Sequence, residues 1–78
     1  MPQVKVLLFG PLAEAFESSE SIHDIKENIT AKELLEKLGL TKWKAKGLKC
    51  AVNQKFTTFD KILKEGDEIV FLTPVSGG

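Results

Sequence analysis

Arginine is missing from this 78-residue chain; all eleven basic residues are lysine. Arg supplies the planar fork that grips phosphates and guanine edges bidentately. Eight Glu and three Asp balance the lysines to a net charge of zero. Together these two facts argue against a nucleic-acid partner. Cysteine occurs once, at Cys50, so no internal disulfide framework can form, which fits a reducing compartment. With one Cys and one His, His23, the expectation is no metal site and no bound cofactor. No basic-then-apolar leader follows Met1. No apolar run approaches the ~20 residues that span a bilayer, so no membrane partner and a cytoplasmic location are expected. A chain this short buries about 60% of its unfolded surface, so it makes one domain with little room for an enclosed substrate cavity.

What is present reads as alternating strands around one clear helix. Val4, Val6 and Leu8 alternate with Lys5, Leu7 and Phe9, the period of a strand, and Gly10-Pro11 stops it. Pro11 suits a first helical position, and Leu12 and Phe16 stand one turn apart, predicting a short helix through Glu17. A weaker strand around Ile22 and Asp24 is expected to end near Asn28. Thr30-Ala31-Lys32-Glu33 is a capping box, with Ile29 and Leu34 placed as a hydrophobic staple. Leu34, Leu35 and Leu38 form an apolar stripe, and Gly39 is a natural stop. Thr41 to Gly47 reads as a polar connection carrying Trp43. Further strands are expected over Leu48–Asn53, from Phe56-Thr57, and over Glu68–Leu72, with a glycine turn at Lys64-Glu65-Gly66-Asp67. The order predicts an α+β fold, a β-grasp-like sheet packed by one main helix.

The first and last strands are apolar on both faces. Val4, Val6, Leu8, Ile69 and Phe71 can face the helix, which leaves Leu7, Phe9, Val70 and Leu72 opposite, with Phe56 a candidate to join them. One helix cannot cover two faces. Either a protein partner covers the second face, or the loops at 10–20 or 41–47 fold over it. Charge is also segregated: residues 37–55 hold six Lys and no acid, and residues 14–27 hold five acids and one Lys. This steers an acidic partner or is a solvated face. Trp43, among those lysines, anchors a partner or caps the core edge. Cys50 alternates with Lys49 and is expected to be a buried, inert thiol. His23 has no catalytic constellation in view and is expected at the surface or a sheet edge.

The remaining feature is the end, Pro74-Val75-Ser76-Gly77-Gly78. Glycine averages roughly 7% of residues, so a chance Gly-Gly pair there has a likelihood of about half a percent. Without Cβ, glycine threads a slot closed to other residues. The alternative is a frayed terminus. The functional expectation divides the chain into a domain over 1–73 and a flexible extended tail over 74–78, with Pro74 stiffening its base. Five residues at ~3.3–3.6 Å each reach roughly 17 Å into a neighbouring protein. The Gly78 carboxylate is then the candidate reactive group. A carboxylate is a poor electrophile until joined to AMP, after which sulfide yields a thiocarboxylate and an amine yields an amide.

Three stretches now stand together: Lys5-Val6-Leu7-Leu8-Phe9-Gly10-Pro11-Leu12, Ala51-Val52-Asn53-Gln54, and Gly66-Asp67-Glu68-Ile69-Val70-Phe71 leading to the Gly-Gly end. On these the chain resembles the molybdopterin synthase small-subunit family of ubiquitin-like sulfur carriers. The resemblance implies a ubiquitin-like β-grasp fold and a non-catalytic, sulfur-carrying subunit of a sulfurtransferase complex. It implies that a ubiquitin-activating-like adenylyltransferase consumes ATP to adenylate Gly78, and that a sulfur donor converts it to a thiocarboxylate. The tail, Pro74, Val75, Ser76 and Gly77, would insert into the large synthase subunit, in an assembly of two small and two large subunits. There the sulfur would pass to a pterin precursor during molybdenum cofactor biosynthesis. Phe9, Phe56, Leu72 and Val75 would meet that partner. Two positions depart from the family pattern: Thr73, where a second proline is frequent, and Ala13, where a basic residue is frequent. The alternatives are a thiamine-type sulfur carrier, a ubiquitin-like protein modifier that forms an amide with a target lysine, and a plain binding module.

Overall fold

The computed structural model describes residues 2–73. Strand β1 (Gln3–Leu8) is followed by a short helix α1 (Pro11–Phe16), strand β2 (Glu20–Asp24) and the main helix α2 (Ala31–Lys37). A 3-10 helix (Thr41–Lys46) leads to β3 (Lys49–Val52), β4 (Lys55–Thr57) and β5 (Glu68–Leu72). The five strands form one sheet in the order β2-β1-β5-β3-β4. The central pair β1 and β5 is parallel, and every other pairing is antiparallel. This is the mixed sheet with one main helix that the element order predicted.

Alternation decides which side chains meet the helix. Val4, Val6 and Leu8 are buried together with Ile69 and Phe71 of β5 and Cys50 and Val52 of β3. Ala31, Leu34, Leu35 and Leu38 cover them from α2 and its C-terminus. The helix is started by the predicted box: the Glu33 amide donates to Thr30 Oγ1 at 3.2 Å, and the Thr30 amide donates to Glu33 Oε1 at 3.0 Å. Ile29 is buried beside Leu34, as a staple requires. Gly39 ends the helix at φ 75°, where the Gly39 amide donates to the Glu36 carbonyl at 3.0 Å.

Two expectations are corrected. The second strand stops at Asp24, short of Asn28. Ile25 turns into the core at 1% exposure, and Asn28 takes a left-handed φ of 63°, which breaks the extended run. The 41–47 connection is a 3-10 helix closed by Gly47 at φ 86°. Three residues per turn give no 3.6-residue apolar stripe, so hydrophobic periodicity could not find it.

The hairpin from β3 to β4 turns through Asn53 and Gln54, with φ 51° and 70°. Both values are left-handed, the signature of a type I′ turn, which favours Asn followed by Gly. Asn53 also ties the turn to the next element: its Nδ2 donates to Asp67 Oδ1 at 3.0 Å, and its Oδ1 accepts from the Glu68 amide at 3.0 Å. Gly66 takes φ 83° in the expected glycine turn, and its amide donates to the Gln3 carbonyl at 2.8 Å.

Replacing Gln54 by Gly removes a left-handed strain of about 1–2 kcal/mol but adds Gly entropy of about 0.5–1 kcal/mol. Gln54→Gly is therefore expected to stabilise the fold slightly, read as a higher urea midpoint at unchanged slope. A second expectation concerns acid. Burial, then the Lys37 charge, push His23 below its ordinary 6.5, while hydrogen bonds from Thr30 hold Glu33 below its ordinary 4.5. Both groups favour their deprotonated form in the fold, so their stabilisation is full above those values and is lost as pH falls. The urea midpoint should decline first below about pH 6.5 and again below about pH 4.5. His23→Gln should flatten the first step and Glu33→Gln the second.

Candidate functional site

Register builds a second apolar surface on the side of the sheet away from α2. Leu7 lies opposite Val70, Val70 opposite Ala51, and Ala51 opposite Phe56, so four strands contribute one cross-strand row. Leu72 follows on β5, paired with Lys49. Ala51 is only 7% exposed yet lies outside the core cluster, because it is hemmed in by its neighbours on this outer face. At the margins Phe9 is 55% exposed, Phe56 72% and Ile22 62%; Ile22 pairs with Lys5 on β1.

The loops do not account for this face. Leu12 of α1 is fully buried in the helix-side core, and Ala13, Phe16 and Trp43 pack against the same cluster. Both candidate covers therefore fold to the other side. Trp43 caps the core edge, with the Lys46 ammonium 4.9 Å above its ring.

The described chain ends just beyond β5. β5 is the middle strand, and it reaches Leu72 and Thr73 between the end of β1 and the start of β3. Of the residues proposed to meet a partner, Phe9, Phe56 and Leu72 therefore fall on this face or its rim. Val75, Gly78, which is expected to be the reactive residue, and Pro74, Ser76 and Gly77, which are expected to form the stalk, lie outside the described residues. Ile22 and Ala51 also belong to the outer face but were not picked out from the sequence. Only cross-strand register shows them, and single-strand alternation does not supply it.

The side chains with ordinary catalytic potential lie elsewhere. Cys50 is buried, its Sγ donates to the Thr57 carbonyl at 3.6 Å, and burial pushes its thiol pKa up. His23 sits on edge strand β2, with Ser21 Oγ 2.8 Å from its Nε2 and the Phe16 ring 5.8 Å away. Among the described residues no three His, Cys, Asp or Glu side chains converge to hold a metal ion. No helix among them is long and apolar enough to cross a membrane. The described residues offer a surface.

A family model described as the ThiS family matches residues 6–78. The chain belongs to the ThiS family. A molybdopterin synthase sulfur carrier subunit of Drosophila simulans is 39% identical over 82 aligned residues, covering 96% of this chain and 90% of the fly protein. Subunit 1 or 2 in a structure of the two-subunit molybdopterin-converting factor complex of Helicobacter pylori is 31% identical, with TM-score 0.63 over 97% of this chain and 99% of that one. The small archaeal modifier protein 1 of Methanosarcina acetivorans is 26% identical, with TM-score 0.75 over 100% of this chain and 98% of that one. The ubiquitin-like β-grasp expected from the sequence is thus the fold of this ThiS-family chain, and the family resemblance holds.

Since its thiol is buried and raised in pKa, Cys50 should be inert in the folded ThiS-family domain. Ellman's reagent should react slowly in buffer and at once in denaturant. Equal rates in both would show an open thiol.

Proposed function

We propose that this chain is a sulfur carrier that serves a molybdopterin synthase. The observation that carries the reading is the apolar row Leu7–Val70–Ala51–Phe56 on the face away from α2, half-buried at Leu7 and Val70 and exposed at Phe56, beside the end of the central strand. A partner that covers the row receives the tail at the same time. The family match and the likeness to a subunit of a two-subunit complex support the reading.

In this reading a Gly78 carboxylate oxygen attacks the α-phosphorus of ATP, and pyrophosphate leaves. Sulfide then attacks the acyl carbon of the adenylate, AMP leaves, and a thiocarboxylate remains. The adenylyltransferase supplies the nucleotide site, so this chain needs none. The thiocarboxylate then enters the large synthase subunit, whose side chains handle the pterin precursor, in an assembly of two small and two large subunits. Phe9, Phe56, Leu72 and Val75 seat the carrier while the tail reaches in. A second reading, in which an amine replaces sulfide and the chain becomes a protein modifier, is favoured by the likeness to the small archaeal modifier protein.

The test is intact-mass spectrometry after incubation with ATP, sulfide and the activating enzyme. One oxygen replaced by sulfur at Gly78 is expected, and deletion of Gly78 should abolish it without loss of fold. Sulfur transfer by the shortened chain would refute the proposal. An amide to a lysine of another protein would establish the modifier reading. For the face, Leu72→Asp should weaken large-subunit binding by at least about tenfold, because docking would bury an unpaired charge. Unchanged affinity in calorimetry would remove this face from the interface.

A further inference from the structure

Charge that is segregated along the sequence becomes segregated across the sheet. Residues 14–27, with five acids and one lysine, supply the end of α1 and β2, which is one edge of the sheet. Residues 42–59, with five lysines and no acid, run through the 3-10 helix and β3 to β4, the opposite edge; Lys37 lies instead at β2, its Nζ donating to the Asp24 carbonyl. Among the described residues the recorded ion pair is Lys5 to Glu20 at 3.6 Å, and none of the lysines at the β4 edge is engaged by a carboxylate.

Several of these cations are held in place. The Lys44 ammonium lies 5.4 Å from the Phe59 ring centre, and Lys46 is held over Trp43. Phe59 stacks in turn on Phe71 at 6.3 Å, so this aromatic surface is anchored in the core. A groove at the same edge is lined by Leu48, Lys49, Phe56, Thr57 and Phe59. β4 pairs with β3 alone, which leaves the other side of Lys55–Thr57 without a strand partner.

An open strand edge, an apolar floor and a cationic rim together define a peptide-binding mode: strand addition, with main-chain hydrogen bonds for affinity and alternate side chains for selectivity. We propose that the β4 edge takes an extended acidic segment of a protein partner as a sixth strand. An apolar side chain of that segment would rest on Phe56 and Phe59, and its carboxylates would face Lys44, Lys49 and Lys55. Charge complementarity selects the occupant. The same lysines repel the β4 edge of another copy, which guards the strand against self-pairing. The lack of arginine disfavours nucleic acid. Through Phe56 the groove is continuous with the outer apolar face, so one partner can occupy both. The inference does not depend on the sulfur-carrier reading.

The test is an amide NMR titration of the full chain with an acidic peptide, Asp-Glu-Leu-Asp-Phe-Asp-Glu. Saturable shifts centred on Leu48, Lys49, Phe56, Thr57 and Phe59 are expected. Binding should weaken by about tenfold in a Lys44→Glu, Lys49→Glu double variant, and similarly for a peptide with Asn and Gln in place of its acids. If the double variant loses its dispersed spectrum, Lys49→Gln alone should still weaken binding, by about threefold, with the fold intact. The proposal is overturned by any of four results. These are no shift at millimolar peptide, shifts that follow every lysine without Phe56 and Phe59, tighter binding of oligothymidylate to the same amides, or shifts on simple dilution that assign the groove to the acidic β2 edge of a second copy.

Discussion

Strand β5 occupies the middle of the sheet with apolar side chains on both faces, and the fold covers only one of them. Ile69 and Phe71 go under α2; Val70 and Leu72 do not. Everything else about the molecule follows from that imbalance. A sheet of five strands needs one hydrophobic layer to be stable, and the α2 side supplies it, with the short helix and the 3-10 helix adding Leu12, Phe16 and Trp43 to the same layer. Among the described residues no helix packs on the second face, which carries the apolar row across Leu7, Val70, Ala51 and Phe56.

The parallel pairing of β1 with β5 gives that face its direction. Two strands from opposite ends of the described chain lie side by side and finish at the same end of the sheet. Phe9 and Thr73 stand there together, at the centre of the sheet and beside the second apolar face. The end of an edge strand has one neighbour; the end of the central strand has two. The same topology holds the acidic β2 and the edge strand β4, with Lys55 and the lysines of the 3-10 helix and β3 near it, apart by three strands.

Much of this was legible in the residues because the signals are local. The capping box at Thr30 and Glu33 needs only a three-residue spacing, and both of its hydrogen bonds form. Alternation at Val4, Val6 and Leu8 and at Ile69 and Phe71 named the core side of both central strands. Glu68–Leu72 began and ended where its apolar run does. Weak local signals were misread: the strand around Ile22 was drawn too long, and the turns of the 3-10 helix passed for plain loop. At the candidate site, Phe9, Phe56 and Leu72 were found by asking which apolar residues the helix could not reach. Ala51 and Ile22 escaped, since a small side chain and a weakly alternating strand carry no sign of what they stand beside.

The sequence alone determined the elements, their buried sides, the cap and stop of α2, and the existence of more apolar strand surface than one helix can cover. Those depend on periodicity and on short-range hydrogen bonding, which a linear string contains. Only the tertiary structure decided that α1 and the 3-10 helix fold to the helix side, leaving the second face open, and that β5 is central and parallel to β1. It alone placed the acids of β2 and the lysines of the 3-10 helix, β3 and β4 on opposite edges. Each of these is a pairing between residues far apart in sequence, and such pairings are chosen by how all the elements bury their apolar surface together.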